Sequence, residues 1–166
     1  MRKLLLTFAA LLPLVAASQP REWNPKPMCE FGNDTVAYIK HNFNPKDENM
    51  QAYFKGKTSG EIIPELGFEV KRLIPQHSES QEIMRCYGII FVAAIEGGGI
   101  SKVGGSSHGV MVSLATPVSA QNNPVAYNKL TKERDLPFDK ELFDLIKEMK
   151  GKHVTQITLT LVDIIE

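Results

Sequence analysis

The amino-acid sequence predicts an α+β domain, in which an antiparallel sheet of three or more strands has two main helices packed on it. Three observations support this prediction. Residues 87–95 are apolar on both alternating faces, which is typical of a central strand that is covered on both sides. Residues 138–150 place apolar side chains at helical spacing. Residues 153–166 alternate in a pattern that predicts a strand with one buried and one wetter face, the buried face carrying Thr155, Ile157, Leu159 and Leu161 and the wetter face Gln156, Thr158 and Thr160.

The sequence predicts three parts along the chain. Arg2 and Lys3 precede an apolar stretch that ends in small residues, so residues 1–18 are predicted to be a signal peptide that is cleaved on export. An uncleaved anchor is the alternative, but the stretch is shorter than the about 20 residues of a transmembrane helix. No stable membrane anchor is therefore expected after cleavage, and the expected location is periplasmic or secreted. Residues 19–30 predict an extended lead-in, and residues 31–166 a single α+β domain.

The composition excludes several classes of partner. The chain has 19 basic and 19 acidic residues, and loss of Arg2 and Lys3 would leave 17 basic residues against 19 acidic ones. A near-neutral chain lacks the basic excess that nucleic acids and anionic membranes attract, so neither is an expected partner. The hydrophobic content of 43% is sufficient for a packed core and argues against global disorder.

Short elements are predicted before the central strand. Asn33 or Asp34 can cap a helix that ends at Phe43, because the following Asn-Pro pair disfavours its continuation. Residues 47–54 predict a second short helix. Beyond it, residues 68–72 alternate like a half-exposed strand and residues 76–81 are polar and predict a loop.

A hairpin is predicted to follow the central strand. The three glycines at 97–99 provide the positive φ values that a tight reversal needs, and residues 100–103 can return antiparallel. Residues 104–109 predict a flexible stretch and residues 110–118 a further strand, which residues 121–124 interrupt.

The helix predicted over residues 138–150 is the clearest in the chain. Asp139 and Glu141 stand near its start, while Lys147 and Lys150 stand near its end, as the helix dipole favours. Gly151 is in the position of the residue that follows a helix.

The two cysteines of the chain, Cys29 and Cys86, predict a disulfide. An even number of cysteines in an exported chain favours pairing, which would tie the start of the domain to the central strand. The alternative is two separately buried thiols.

No metal or cofactor is predicted. The four histidines, at positions 41, 77, 108 and 153, lack the spacing of zinc ligands. His77 with Glu79 and Glu82 is an alternative metal group, but a polar loop in solvent explains these residues better. The glycines of residues 97–109 lack the Lys-Ser/Thr ending of a phosphate-binding loop and are better explained by turns. Ser106 or Ser107 next to His108 suggests a nucleophile and a base, but adjacency alone does not make a catalytic pair. No catalytic residue is therefore predicted.

Three local matches in the second half of the chain point to a known family. Residues 88–92 (GIIFV) and 99–103 (GISKV) match a glycine-led strand, a turn and a Gly-x-Ile-Ser-x-Val return strand. Residues 138–149 are similar to a Leu-Asp-x-Glu-Ala helix that ends in methionine, and Thr160-Leu161 matches a Thr-Leu pair in a last strand. Together these segments resemble the TonB C-terminal domain, in particular the short exported energy-transducer homologues of the Bacteroidetes type.

The resemblance implies a non-enzymatic module for binding proteins. In that family the last strand offers its edge to an extended peptide of an outer-membrane transporter, so Gln156, Thr158 and Thr160 would form the peptide-binding edge here. An outer-membrane transporter or another envelope protein is therefore the expected partner. The alternatives are an edge paired within the domain or in a homodimer, a secreted hydrolase that uses His108 with Ser106 or Ser107, and a structural envelope subunit.

Overall fold

The fold is α+β, as the sequence predicts, with one antiparallel sheet of five strands. A computed structural model describes residues 22–78, 84–95, 106–133 and 135–160. The predicted signal peptide, the glycine turn at 97–99 and the return strand at 100–103 lie outside these residues. In chain order the elements are α1 (Thr35–Asn42), α2 (Glu48–Phe54), α3 (Ser59–Ile62), β1 (Arg72–Ser78), β2 (Arg85–Ile95), β3 (Ser106–Val118), α4 (Pro124–Lys132), β4 (Leu136–Pro137), α5 (Lys140–Ile146) and β5 (Gly151–Thr160).

The strand order across the sheet is β4-β1-β2-β3-β5, and every neighbouring pair is antiparallel. Two short 3-10 turns, Met28–Phe31 and Ile63–Leu66, flank the N-terminal helices. None of the helices in the described residues is long and apolar enough to cross a membrane.

The predicted central strand is confirmed as β2, which lies between β1 and β3. Ile89 and Phe91 point into the main core, where they pack with apolar side chains of the helices. Ile90 and Val92 point to the opposite face and are also fully buried, at 0% exposure. The prediction of a central strand from two apolar faces is therefore correct.

The first two helices begin where their capping residues predict. The Oδ1 atom of Asp34 accepts a hydrogen bond from the backbone N–H of Ala37 at 2.9 Å, and α1 follows. The Oδ1 atom of Asp47 accepts bonds from the N–H groups of Asn49 and Met50, and α2 follows. These side chains pair amide groups that the first helical turn leaves without an internal partner.

The helix that lies over the central strand is α4, which the sequence analysis did not predict. Asn123 caps it by accepting a hydrogen bond from the N–H of Ala126 at 3.0 Å, and Pro124 occupies the first turn. α4 contacts β2 and β1 and buries Ala126 and Leu130 in the core. α5 buries Leu142 and Ile146 in the same core.

α5 is shorter than predicted, because its last turn is replaced by pairing with the N-terminal part of the domain. Asp139 is its cap and accepts a bond from the N–H of Leu142 at 2.8 Å. The helix ends at Ile146, since the next carbonyl, that of Lys147, accepts a hydrogen bond from the N–H of Gly60 at 2.9 Å. Gly151, predicted to follow the helix, is the first residue of β5.

A seam of backbone hydrogen bonds joins residues 56–60 to residues 147–151. The N–H of Ser59 donates to the carbonyl of Met149 at 2.8 Å, and Thr58 forms a β-bridge with Lys150. α3 also contacts α5 at this seam. The first and last parts of the domain are therefore joined through their main chains.

Two strand boundaries differ from the prediction. β1 begins at Arg72 and extends through Ser78, into the residues that predict a loop. β3 begins at Ser106, so the residues that predict flexibility at its start are paired with both β2 and β5. Gly109 permits this pairing, because a Cβ atom there would lie 2.5 Å from the carbonyl oxygen of Phe91. Gly109 contributes to the predicted flexibility of this stretch, but in the fold it is the residue that lets β3 pack closely against β2.

Candidate peptide-binding edge

β5 lies at one end of the sheet order, and all three residues of the predicted peptide-binding edge are on it. Gln156 pairs with Val110 of β3, Thr158 with His108, and Thr160 with Ser106. β3 is the one strand that pairs with β5 in the described residues. The other side of β5 is the side that an incoming peptide would use.

The N-terminal part of that side is already occupied by the chain itself. The N–H of Gly151 donates to the carbonyl of Lys57 at 2.8 Å, and the N–H of Gly56 donates to the carbonyl of Gly151 at 2.9 Å. Both main-chain groups of Gly151 are therefore satisfied within the domain.

The side chain of Gln51 occupies the next position along the edge. Its Oε1 atom accepts a hydrogen bond from the N–H of Val154 at 3.0 Å, and its Nε2 atom donates to the carbonyl of Val154 at 2.5 Å. A side-chain amide offers one acceptor and one donor, as a strand residue does. Gln51, on α2, thus replaces one residue of a neighbouring strand.

One further main-chain bond covers the edge at Gln156. Its N–H donates to the carbonyl of Phe43 at 3.2 Å. Main-chain groups in a strand point alternately to the two sides, so the N–H and carbonyl of Thr158 and Thr160 point to the same side as those of Val154 and Gln156. Within the described residues nothing pairs with them on that side. We call the main-chain groups from Thr158 to Thr160 the open edge.

The side chains of β5 face the opposite way from the prediction. The sequence analysis placed Thr155 and Ile157 on the buried face, but the fully buried residue is Val154, which packs in the main core. Side chains alternate along a strand, so Gln156 and Thr158 share the core side of the sheet with Val154. Thr155 and Ile157 are half-buried on the other face. The direction of a side chain does not change which main-chain groups are open.

His108 lies directly opposite Thr158 on the neighbouring strand. Its exposure is 8%, and its Nδ1 atom is 3.2 Å from the hydroxyl oxygen of Thr158, within hydrogen-bonding distance. The pair therefore anchors β5 to β3 at the start of the open edge. Ser106 and Ser107 precede His108 on β3, and a hydrolase that uses this group stays an alternative hypothesis.

The predicted disulfide between Cys29 and Cys86 is wrong, because both residues are free thiols. Cys29 is exposed in the first 3-10 turn, whereas Cys86 is fully buried in β2. The Sγ–H of Cys86 donates to the carbonyl of Gly88 at 3.2 Å. Burial raises the pKa of the Cys86 thiol to about 11, so its reactive thiolate form is disfavoured.

No group of three or more His, Cys, Asp or Glu side chains in the described residues is arranged to hold a metal ion. His77, which the sequence analysis weighed with Glu79 and Glu82, lies in β1, and its Nε2 atom is 3.0 Å from the carbonyl oxygen of Leu130. That contact joins β1 to α4. The two glutamates lie outside the described residues.

Gln51 and Phe43, which close the edge, were not identified from the sequence. Gln51 appears there as one polar residue among others on a short helix, and no local pattern indicates that it reaches a strand more than 100 positions away. The edge can be located only from tertiary structure.

Comparisons with protein-family models, with curated proteins and with solved structures found no match to this chain. The resemblance to the TonB C-terminal domain therefore stays a prediction that rests on the sequence motifs.

Proposed function

We propose that this protein is a non-enzymatic binding module that recognises an extended peptide by adding it as a strand to the open edge of β5. The observation that supports this proposal is the change in pairing along β5. Its outer side is satisfied at Gly151, Val154 and Gln156 and is without a described partner at Thr158. Unpaired strand edges are templates for strand addition.

The size of the open edge implies modest affinity. Thr158 and Thr160 offer four main-chain groups between them, and each intermolecular hydrogen bond contributes about 0.5–1.5 kcal/mol net. Loss of translational and rotational freedom opposes that gain. Side-chain contacts must therefore add to the affinity, and we propose that Gln156, Thr158 and Thr160 supply them.

The proposed partner is a segment of an outer-membrane transporter or another envelope protein, encountered in the periplasm after export. This part of the proposal rests on the predicted signal peptide and on the TonB-like motifs. The near-neutral charge of the chain agrees with recognition through main-chain groups, which requires no opposite charge on the peptide.

A pair of substitutions at Thr158 tests main-chain recognition. Linear peptides are first selected against the purified protein from a displayed library, and their binding is then measured by titration calorimetry. Thr158→Pro removes an N–H on the outer side and is expected to abolish binding, because proline is tolerated at strand edges but cannot donate. Thr158→Val keeps the N–H and loses only the side-chain hydroxyl, so it is expected to bind more weakly than the original protein but to retain measurable binding.

The control for folding is the thermal unfolding midpoint of both variants. Equal loss of binding in both variants would show that the hydroxyl, and not the main chain, is recognised. Unchanged binding by Thr158→Pro would place the peptide elsewhere and refute the proposal.

A further inference from the structure

A groove between α4 and α5 lies apart from β5 and shares no residue with the open edge. Its cavity has a volume of about 560 Å³. Leu142 and Leu145 of α5 contribute apolar surface to it, and Val125 of α4 stands beside them with 69% of its surface exposed. The complete lining consists of Val125, Asn128, Lys129, Lys132, Glu141, Leu142, Asp144 and Leu145.

The two walls of the groove have opposite charge. α4 contributes Lys129 and Lys132, and α5 contributes Glu141 and Asp144. Two of these four are neutralised on their own helix. Lys129 lies 4.0 Å from Glu133, and Asp144 lies between two lysines of its own helix region.

Lys132 and Glu141 are different, because neither has an ion-pair partner among the described residues. Both side chains are exposed at the groove. Among the described residues, the groove therefore presents one cation without an ion-pair partner, Lys132 on the α4 wall, and one anion without one, Glu141 on the α5 wall, beside an apolar surface.

We propose that a second copy of this chain occupies the groove in a two-fold symmetric dimer. In such an interface each patch meets itself rotated by half a turn, so a contact between residues i and j occurs twice. Lys132 would face the partner's Glu141, and Glu141 would face the partner's Lys132. The exposed side chain of Val125 would enter the apolar part of the partner's groove.

Charge favours a second copy over other occupants. A partner segment of uniform charge would meet a like charge on one of the two walls, which costs affinity. A second copy brings one positive and one negative side chain, and two-fold symmetry places each of them opposite a side chain of the other charge. The dimer is independent of the peptide-binding proposal, because it uses α4 and α5.

The test is the oligomeric state of the purified full chain, measured by sedimentation velocity from about 1 µM to about 500 µM, the range of weak to moderate association. We expect a concentration-dependent dimer. Lys132→Glu and Glu141→Lys each place like charges together at both contacts, and each is expected to weaken the dimer at least about tenfold. The double variant Lys132→Glu/Glu141→Lys restores the opposite charges and is expected to dimerise like the original.

Two controls separate this interface from general charge effects. Lys46→Glu makes the same change in net charge at an exposed site outside the groove and should leave the dimer unchanged. Val125→Asp should abolish it. The thermal midpoint of each variant reports folding. A chain that stays monomeric at the highest concentration, or a double variant no better than the singles, would overturn the proposal and leave the groove to another partner.

Discussion

The side-chain amide of Gln51 pairs with both main-chain groups of Val154, and it does so from a helix 103 positions earlier in the chain. This contact closes the edge of β5 and holds α2 against the sheet. It stands where the main chain of another strand would stand.

Replacement of Gln51 by alanine should therefore lower the free energy of unfolding and expose the edge at Val154. The expected loss is about 1–3 kcal/mol, since two hydrogen bonds are removed and two part-buried backbone groups lose their partners. Urea unfolding measures the loss, and hydrogen exchange should show faster exchange at the Val154 amide. Asn49→Ala is the matched control on the same helix, because Asn49 is exposed and its side chain makes no hydrogen bond within the described residues. Equal destabilisation by both variants would contradict the assignment.

Gly67 packs so closely against the ring of Tyr38 that a side chain at position 67 would clash with it. Gly67 has a φ of +72°, and a Cβ atom there would lie 2.0 Å from the hydroxyl oxygen of Tyr38. Gly56 also has a positive φ, of +84°, but open space around it. Gly67→Ala should therefore destabilise the domain by at least about 1 kcal/mol more than Gly56→Ala, because overpacking adds to backbone strain.

The same pair provides an internal check by a double-mutant cycle in urea. Tyr38→Phe removes the nearest clashing atom, so Gly67→Ala should cost less in that background than in the original protein. A cost that does not change would show that the hydroxyl oxygen of Tyr38 does not contribute to the effect.

The buried thiol of Cys86 should make stability depend on pH in the alkaline range. The pKa of this thiol rises from 9.0 in the unfolded chain to about 11 in the folded protein. The folded state therefore keeps its proton where the unfolded state loses it, and stability is fully present below pH 9 and falls as the pH rises to about 11. The expected loss is about 3 kcal/mol, since each unit of pKa difference corresponds to about 1.4 kcal/mol.

Comparison with Cys86→Ala isolates this effect, because tyrosine and lysine side chains titrate in the same range. The original protein loses stability through this thiol as the pH rises, whereas Cys86→Ala does not. Any excess in the unfolding free energy of the original protein over that of Cys86→Ala should therefore shrink or reverse as the pH rises. In the native protein at pH 8, a thiol reagent should label Cys29 and leave Cys86 unmodified until denaturant is added. Labelling of both thiols at the same rate would refute the buried state.

Leu130 is the side chain that fixes α4 onto the sheet. It is fully buried, and the carbonyl of the same residue is within hydrogen-bonding distance of the ring of His77. Leu130→Ala should cost about 2–5 kcal/mol, as buried leucines do when truncated. Val125→Ala on the same helix removes an exposed side chain and should change stability by less than about 0.5 kcal/mol. Chemical denaturation of the two variants provides the comparison, and similar midpoints would be inconsistent with the packing of α4.

The sequence predicts an element of this fold correctly where residues within or next to that element determine where it begins and ends. Asp34 and Asp47 have the side chains that a helix start requires, and both helices begin at them. The run from residue 87 to residue 95 is apolar on both faces, and because it is short, rich in β-branched residues and followed by glycines, it favours a covered central strand over a buried helix. These predictions succeed because the determining interactions lie within a few residues.

Elements whose ends depend on distant residues were not predicted. α4 is the exception, because Asn123 followed by Pro124 is a local helix-start signal within the sequence itself. The alternating faces of β5 were assigned from Thr155 and Ile157, yet Val154 and its neighbours in the core decide which side is buried. The end of α5 depends on Gly60, almost 90 positions away. Spacing along the sequence contains none of this information.

The seam between residues 56–60 and 147–151 has a consequence for the newly made chain. The amides of Ser59 and Gly60 acquire their partners only after about 90 further residues have been synthesised. At about 5–20 residues per second, this interval lasts several seconds to some 20 s. During it α2 and α3 have no β5 to pack on, so a chaperone would meet these helices before they are held in place.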